Sequence, residues 1–153
     1  IIWGFELNNV YYFNERDKGL SIGNSISYQK GEDETEDEPL HTIQPFTAIN
    51  NISYIFPGQK LTASLVNTYV GVPTKRSTYT DYVPDSYITT DLGLGYRVAD
   101  NFTANLGIYN IFDKTYYKWS DLNANGNSGT EDTAYQRYAQ PGRTIQAGFS
   151  WRF

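Results

Sequence analysis

The spacing with the most chemical content runs from Asp121 to Asp132. Oxygen-bearing side chains at Asp121, Asn123 and Asn125, glycine at Gly126, then Asn127 and a final carboxylate at Asp132 follow the order in which a calcium loop presents its ligands. Ser128 stands where such loops carry an apolar residue, and Asn, Gly and Asp are also what an ordinary flexible connection contains. A second oxygen-rich stretch, Glu32 to Glu38, holds six carboxylates in seven residues. Like charges this close favour an extended, solvated loop, and carboxylate oxygens also suit a divalent cation. His41 is the sole histidine. A neutral imidazole binds iron, whereas a lone loop histidine is ordinarily solvated. One histidine without a nucleophile beside it builds no catalytic triad, so no catalytic residue is assigned and the chain is not read as an enzyme.

Aromatic residues offer a different chemistry. Tyr79, Tyr82, Tyr116, Tyr117 and Trp119 are placed to line a surface for an apolar macrocycle, and membership of a membrane-interface girdle explains them equally well. All of these candidates lie in connections or at strand ends, so the elements that hold them are strands. The last eleven residues show the pattern: Ile145, Ala147, Phe149, Trp151 and Phe153 alternate with Thr144, Gln146, Gly148, Ser150 and Arg152. That period of two predicts a strand with lipid on one face and water on the other.

The same reading applied upstream predicts strands at Trp3–Phe13, Leu20–Lys30, Pro45–Phe56, Leu61–Val72, Tyr87–Val98, Phe102 to about Trp119, and Arg143–Phe153. The connections alternate short and long. Asn14–Gly19, Pro57–Lys60 and Ala99–Asn101 are tight, while 32–44, 73–86 and 120–142 are long. Short periplasmic turns and long extracellular loops are the habit of outer-membrane barrels. Phe13, Phe56, Tyr96, Phe102, Trp151 and Phe153 gather beside the short turns as a lower aromatic girdle, which puts the long loops outside the cell. By parity, Glu6, Asp91 and Arg97 face the lumen. Asn110 and Asp113 mark a bulge or bend where the alternation of the sixth strand breaks down.

Composition agrees with a membrane wall of strands. The chain has 153 residues, 14 of them Tyr and 13 Gly, with no Cys and no Met. Mean hydropathy is −0.55, and no apolar run reaches the roughly 18 residues of a membrane helix. A net charge of −5 argues against a nucleic-acid partner. The chain opens at Ile1 without a leader, as a mature N-terminus or a missing upstream part would explain, and seven strands do not close an up-and-down bacterial barrel, which takes an even number; the odd count leads to the expectation of the C-terminal part of a larger barrel. A complete small barrel enzyme or adhesin would need an eighth strand and a convergent polar site, and a soluble lipocalin-like binder would need a polar outer face.

Tyr109-Asn110-Ile111-Phe112-Asp113-Lys114-Thr115-Tyr116-Tyr117, then Tyr138-Ala139-Gln140-Pro141-Gly142-Arg143 and a last strand ending in Phe, resemble the C-terminal end of TonB-dependent outer-membrane receptors. Lys118-Trp119-Ser120-Asp121, Arg137-Tyr138 and Pro39-Leu40-His41-Thr42-Ile43 are most similar to the heme and hemoglobin receptors of that family. The resemblance implies an all-β transmembrane antiparallel barrel of about 22 strands, of which residues 1–153 supply about the last seven, with the plug domain and earlier strands lying elsewhere. It implies import of heme or hemoprotein-derived iron, with a ferric siderophore as the alternative cargo. Heme is then a transported ligand and no cofactor is resident. The implied partners are outer-membrane lipid and lipopolysaccharide, the receptor's own plug, the TonB-ExbB-ExbD complex, the barrel assembly machinery, and a hemoprotein or hemophore. His41 with Tyr79, Tyr82, Tyr116, Tyr117 and Trp119 would serve ligand binding, and Trp151 and Phe153 the assembly signal.

Overall fold

The computed structural model describes residues 1–16, 18–35, 38–40, 42–73, 82–124 and 134–153. Seven long strands form one antiparallel meander, in the order β1 (Ile2–Tyr12), β2 (Gly19–Asp33), β4 (Thr47–Ile55), β5 (Leu61–Val70), β6 (Tyr87–Ala99), β7 (Phe102–Tyr109) and β8 (Thr144–Trp151). A two-residue strand β3 (Glu38–Pro39) pairs only with β2. β1 and β8 lie at the two edges of this sheet. The expected closing strand is present, with Phe102 opposite Trp151 and Ala104 opposite Phe149.

The short connections turn where the chain can reverse. Gly58 and Gln59 both adopt left-handed φ, at 84° and 54°, and the Gln59 amide closes the turn on the Phe56 carbonyl at 2.9 Å. Gly meets that requirement without cost and Gln meets it with some strain. Between β6 and β7 the register shifts at Arg97 and Ala99, a bulge directly before the Asp100–Asn101 turn.

The apolar side chains of the sheet are left uncovered. Among the described residues the buried hydrophobics are Trp119 and Leu122 alone. Trp3, Phe5, Phe149 and Trp151 are instead more than half exposed. A water-soluble sheet would have to cover such a face, and among the described residues no helix is long and apolar enough to cross a membrane. The strands themselves are the membrane wall, with the apolar face turned to lipid.

Two expectations are corrected. The acidic stretch is not wholly a loop: β2 runs on through Asp33, Glu32 pairs with Pro39 and Asp33 with Glu38, and the Leu40 amide reaches the Gly31 carbonyl at 3.0 Å. Cross-strand backbone pairing, with Lys30 Nζ 2.7 Å from Glu32, offsets the repulsion. The sixth strand ends at Tyr109, ten residues short of Trp119, because Asn110 and Asp113 turn to left-handed φ of 51° and 55°.

Candidate ligand-facing surface at the outer rim

The end of the sheet that carries the long connections is organised by Asn110. Its backbone amide donates to Asp91 Oδ1 at 2.7 Å, its side-chain Nδ2 donates to the Lys114 carbonyl at 2.9 Å, and its Oδ1 accepts the Lys114 amide at 2.9 Å. Nδ2 also reaches the Pro141 carbonyl at 3.4 Å. Asp113 Oδ1 accepts the Arg143 amide at 2.7 Å, and Arg143 Nη1 lies 3.5 Å from the Ile111 carbonyl. Short polar side chains that tolerate left-handed φ and bond their own backbone are suited to this work. Together they clamp the departure of β7 to the start of β8. Arg143 thus meets the Asp113 carboxylate through its backbone amide, while its guanidinium lies toward the Ile111 carbonyl. Asp91 has the expected lumen parity, and its carboxylate is engaged here in the rim.

Beyond the clamp, Tyr117 and Ala139 form an isolated bridge, followed by helix α1 (Trp119–Ala124) and a short 3-10 helix (Ala134–Tyr138). Trp119 and Leu122 are 4% and 0% exposed and make the small core of this cap. Trp119 is therefore an anchor of the loop and not the surface aromatic that its spacing predicts. Asp121 lies within the helix, where its Oδ1 accepts Ser120 Oγ at 3.1 Å and its Oδ2 accepts Gln140 Nε2 at 2.8 Å. Of the calcium-loop spacing, Asn125, Asn127 and Asp132 lie outside the described residues, as does the Asn123 side chain. Among the described residues no three metal-ligating side chains converge.

What the structure does bring together is a tyrosine cluster. Tyr82 and Tyr135 stack face to face at 3.8 Å and 4°, and Tyr117 meets both edge-on at 5.6 and 5.4 Å. Tyr116 packs beside it on Tyr87 at 4.4 Å. Three of these residues, Tyr82, Tyr116 and Tyr117, were expected from the sequence; Tyr135 was not, because it sits in a polar loop with no periodicity to mark it. Desolvation raises the Tyr82 phenol above the ordinary range, with Tyr135, Tyr117 and Asp85 adding to the effect. Desolvation and the Asp91 carboxylate do the same to Tyr116. The cluster thus presents neutral, partly exposed ring edges and faces, a surface for flat apolar ligands or for aromatic protein side chains. His41 and Tyr79 lie outside the described residues. Trp151 and Phe153 sit at the opposite end, both strongly exposed, and the Arg152 amide fixes that end on the Asn101 carbonyl at 2.9 Å.

Comparison with known proteins agrees with this architecture. Residues 1–111 match the family described as TonB dependent receptor-like, beta-barrel. The chain is 26% identical to the probable hemoglobin and hemoglobin-haptoglobin-binding protein 4 of Haemophilus influenzae over 94% of its own length and 16% of the relative's. It is 28% identical to hemoglobin-haptoglobin-binding protein A of Haemophilus influenzae, over 88% of this chain and 15% of that one. Hemoglobin-haptoglobin utilization protein B of Neisseria meningitidis is 27% identical over 95% of this chain and 21% of that protein. The chain therefore spans about a sixth to a fifth of these relatives. Among solved structures, the copper transporter OprC superposes with a TM-score of 0.84 at 24% identity, over 99% of this chain and 24% of that one. The FrpB iron transporter from Neisseria meningitidis superposes at 0.72 with 20% identity, over 99% and 23%. On the matched barrel, the meander and its lipid-facing wall, the chain belongs to the TonB-dependent receptor family of the bacterial outer membrane.

Proposed function

We propose that the chain is the C-terminal portion, about the last seven strands, of a receptor barrel of about 22 strands that imports heme or hemoprotein-derived iron. The observation that carries the cargo is its likeness, over about nine-tenths of its length, to hemoglobin-binding proteins of two genera. Its strands form barrel wall, its lumen face meets the receptor's plug, and its long loops form part of the outer surface. Phe153 and Trp151 are the assembly signal.

In this reading the Tyr82, Tyr117 and Tyr135 cluster contacts the arriving hemoprotein or its heme. Tyrosine rings supply large rigid contact area at little entropic cost, and the clamp around Asn110 holds the cap that presents them. Energy for import comes from the TonB-ExbB-ExbD complex acting on parts of the receptor outside this chain. Titration of the purified full-length receptor with hemoglobin tests the reading: saturable binding that weakens about tenfold in Tyr82→Ala with Tyr135→Ala supports it. Saturable binding of a ferric siderophore with no binding of hemoglobin would replace it.

A further inference from the structure

The lipid-facing side of the wall carries a row of polar side chains that its parity does not lead one to expect. Asn9 pairs with Asn24, Asn24 with Asn50, Asn50 with Asn67, and Asn67 with Thr90, one residue on each of five successive strands. The row below them is Tyr11, Ile22, Ile52, Leu65 and Leu92, and the row above is Leu7, Ile26, Ala48, Tyr69 and Ile88. Both flanking rows are apolar or aromatic throughout, with Ala48 the smallest member, so the amides lie inside the apolar band.

The side chains bond along the row. Asn24 Nδ2 donates to Asn9 Oδ1 at 3.2 Å, Asn50 Nδ2 to Asn24 Oδ1 at 2.8 Å, and Thr90 Oγ1 to Asn67 Oδ1 at 2.8 Å. A primary amide has two N–H donors and an acceptor oxygen with two lone pairs, so each rung keeps hydrogen-bonding capacity that hydrocarbon cannot satisfy. Polar groups on a membrane face are costly and need a polar partner.

A groove of about 380 Å³ lies along the row, lined by Asn24, Asn50, Asn67, Ile26, Ala48 and Tyr69 among others. Its depth comes from Ala48, one carbon wide between Ile26 and Tyr69. Phe46 and Tyr69 pack 6.1 Å apart at its upper margin. Tyr69 is two residues above Asn67, about 7 Å along the strand, so the groove opens just under the outer aromatic girdle.

We infer that this groove binds an acyl chain of lipopolysaccharide, with the asparagine row hydrogen-bonding the hydroxyl and ester groups that such chains carry below the headgroup. The groove is narrow and neutral, which suits an acyl chain with an internal polar linkage. It lies on the side of the long loops, where the outer leaflet is. A phospholipid carries its esters at the headgroup, above the amides, and the convex wall of a second barrel cannot enter a dent one side chain wide. The inference rests on the barrel-wall reading and is independent of the cargo.

Native mass spectrometry of the full-length receptor, titrated in detergent with rough lipopolysaccharide or with phosphatidylethanolamine, tests it. Two variants report separately: Asn50→Leu with Asn67→Leu removes two of the four amides, those flanking Ala48 and Tyr69, and Ala48→Phe fills the dent and leaves every amide in place. Heat-modifiable migration on gels identifies folded barrel in each. Retained lipopolysaccharide in the natural receptor and at least tenfold weaker retention in either folded variant, with phosphatidylethanolamine a poor competitor, supports the inference. Equal retention in all three proteins, equal competition by phosphatidylethanolamine, or a dimer that the variants dissociate would overturn it.

Discussion

The Asn110 amide donates to the Asp91 carboxylate at 2.7 Å, and this bond ties the residue just past the end of β7 to the neighbouring strand β6. The Ile111 amide follows onto the Thr90 carbonyl at 2.9 Å, so bonding to β6 continues two residues past the end of β7. The outer rim is therefore fixed by side chains at the point where the ladder stops, and the tyrosine-bearing cap inherits its position from that lock.

Asn110→Ala should destabilise the barrel. The substitution removes the bonds to Lys114 and Pro141 at a site 4% exposed and leaves alanine, which lacks the short polar side chain that eases left-handed φ, at φ 51°. Leaving buried backbone groups unpaired costs about 1–3 kcal/mol, with a similar backbone penalty of about 1–2 kcal/mol. The temperature at which the folded gel band converts to the unfolded one should fall, and an unchanged temperature would show that the clamp is dispensable.

Gly142→Ala should disturb the same rim from the other side. A Cβ at Gly142 would stand 2.5 Å from Asp113 Oδ1, the oxygen that accepts the Arg143 amide. The expected outcome is faster proteolysis of the long loop before β8 in the folded receptor, with the membrane-embedded strands still protected.

Tyrosine ionisation should be delayed in the cap. Tyr82 and Tyr116 have phenols raised above the ordinary range, chiefly by desolvation. A raised folded value favours the neutral phenol. That contribution to stability is complete below the ordinary tyrosine value, near pH 10, and is lost as pH rises through the folded value. Absorbance at 295 nm should show a late-titrating fraction in the intact receptor that shrinks in Tyr82→Phe.

Much of the wall was legible in the sequence because strand pairing obeys a period of two, and Leu20, Ile22, Ile26 and Tyr28 display it with Asn24 as the single polar member of the stripe. The acidic hairpin was not legible: charge repulsion is read along the chain, whereas the pairing of Glu32 with Pro39 acts across it. The sixth strand was overrun because Ile111 and Phe112 prolong its apolar character. Its true end depends on Asp113 and Arg143, thirty residues apart. Four asparagines, each solitary in its own apolar stripe, became one feature only once the register aligned them. In the cap, tyrosines were found by type, while Trp119 was misplaced because nothing local distinguishes a girdle aromatic from a buried one.

Deleting Phe153 should reduce the amount of assembled receptor in the outer membrane. Phe153 is fully exposed at the end of the closing strand, so its removal costs little packing. Hemoglobin affinity of the receptor that does assemble should be unchanged. A loss of affinity per assembled molecule would place Phe153 in the folded structure's function instead of in its biogenesis.

The central claim is tested most directly by growth. The full-length receptor is expressed in an iron-starved bacterium that lacks outer-membrane receptors of its own for heme and for siderophores, supplied with hemoglobin or with a ferric siderophore as the sole iron source. Growth on hemoglobin that requires a working TonB-ExbB-ExbD complex is the predicted result; growth on the siderophore alone, or on neither source despite folded receptor in the outer membrane, would contradict the account.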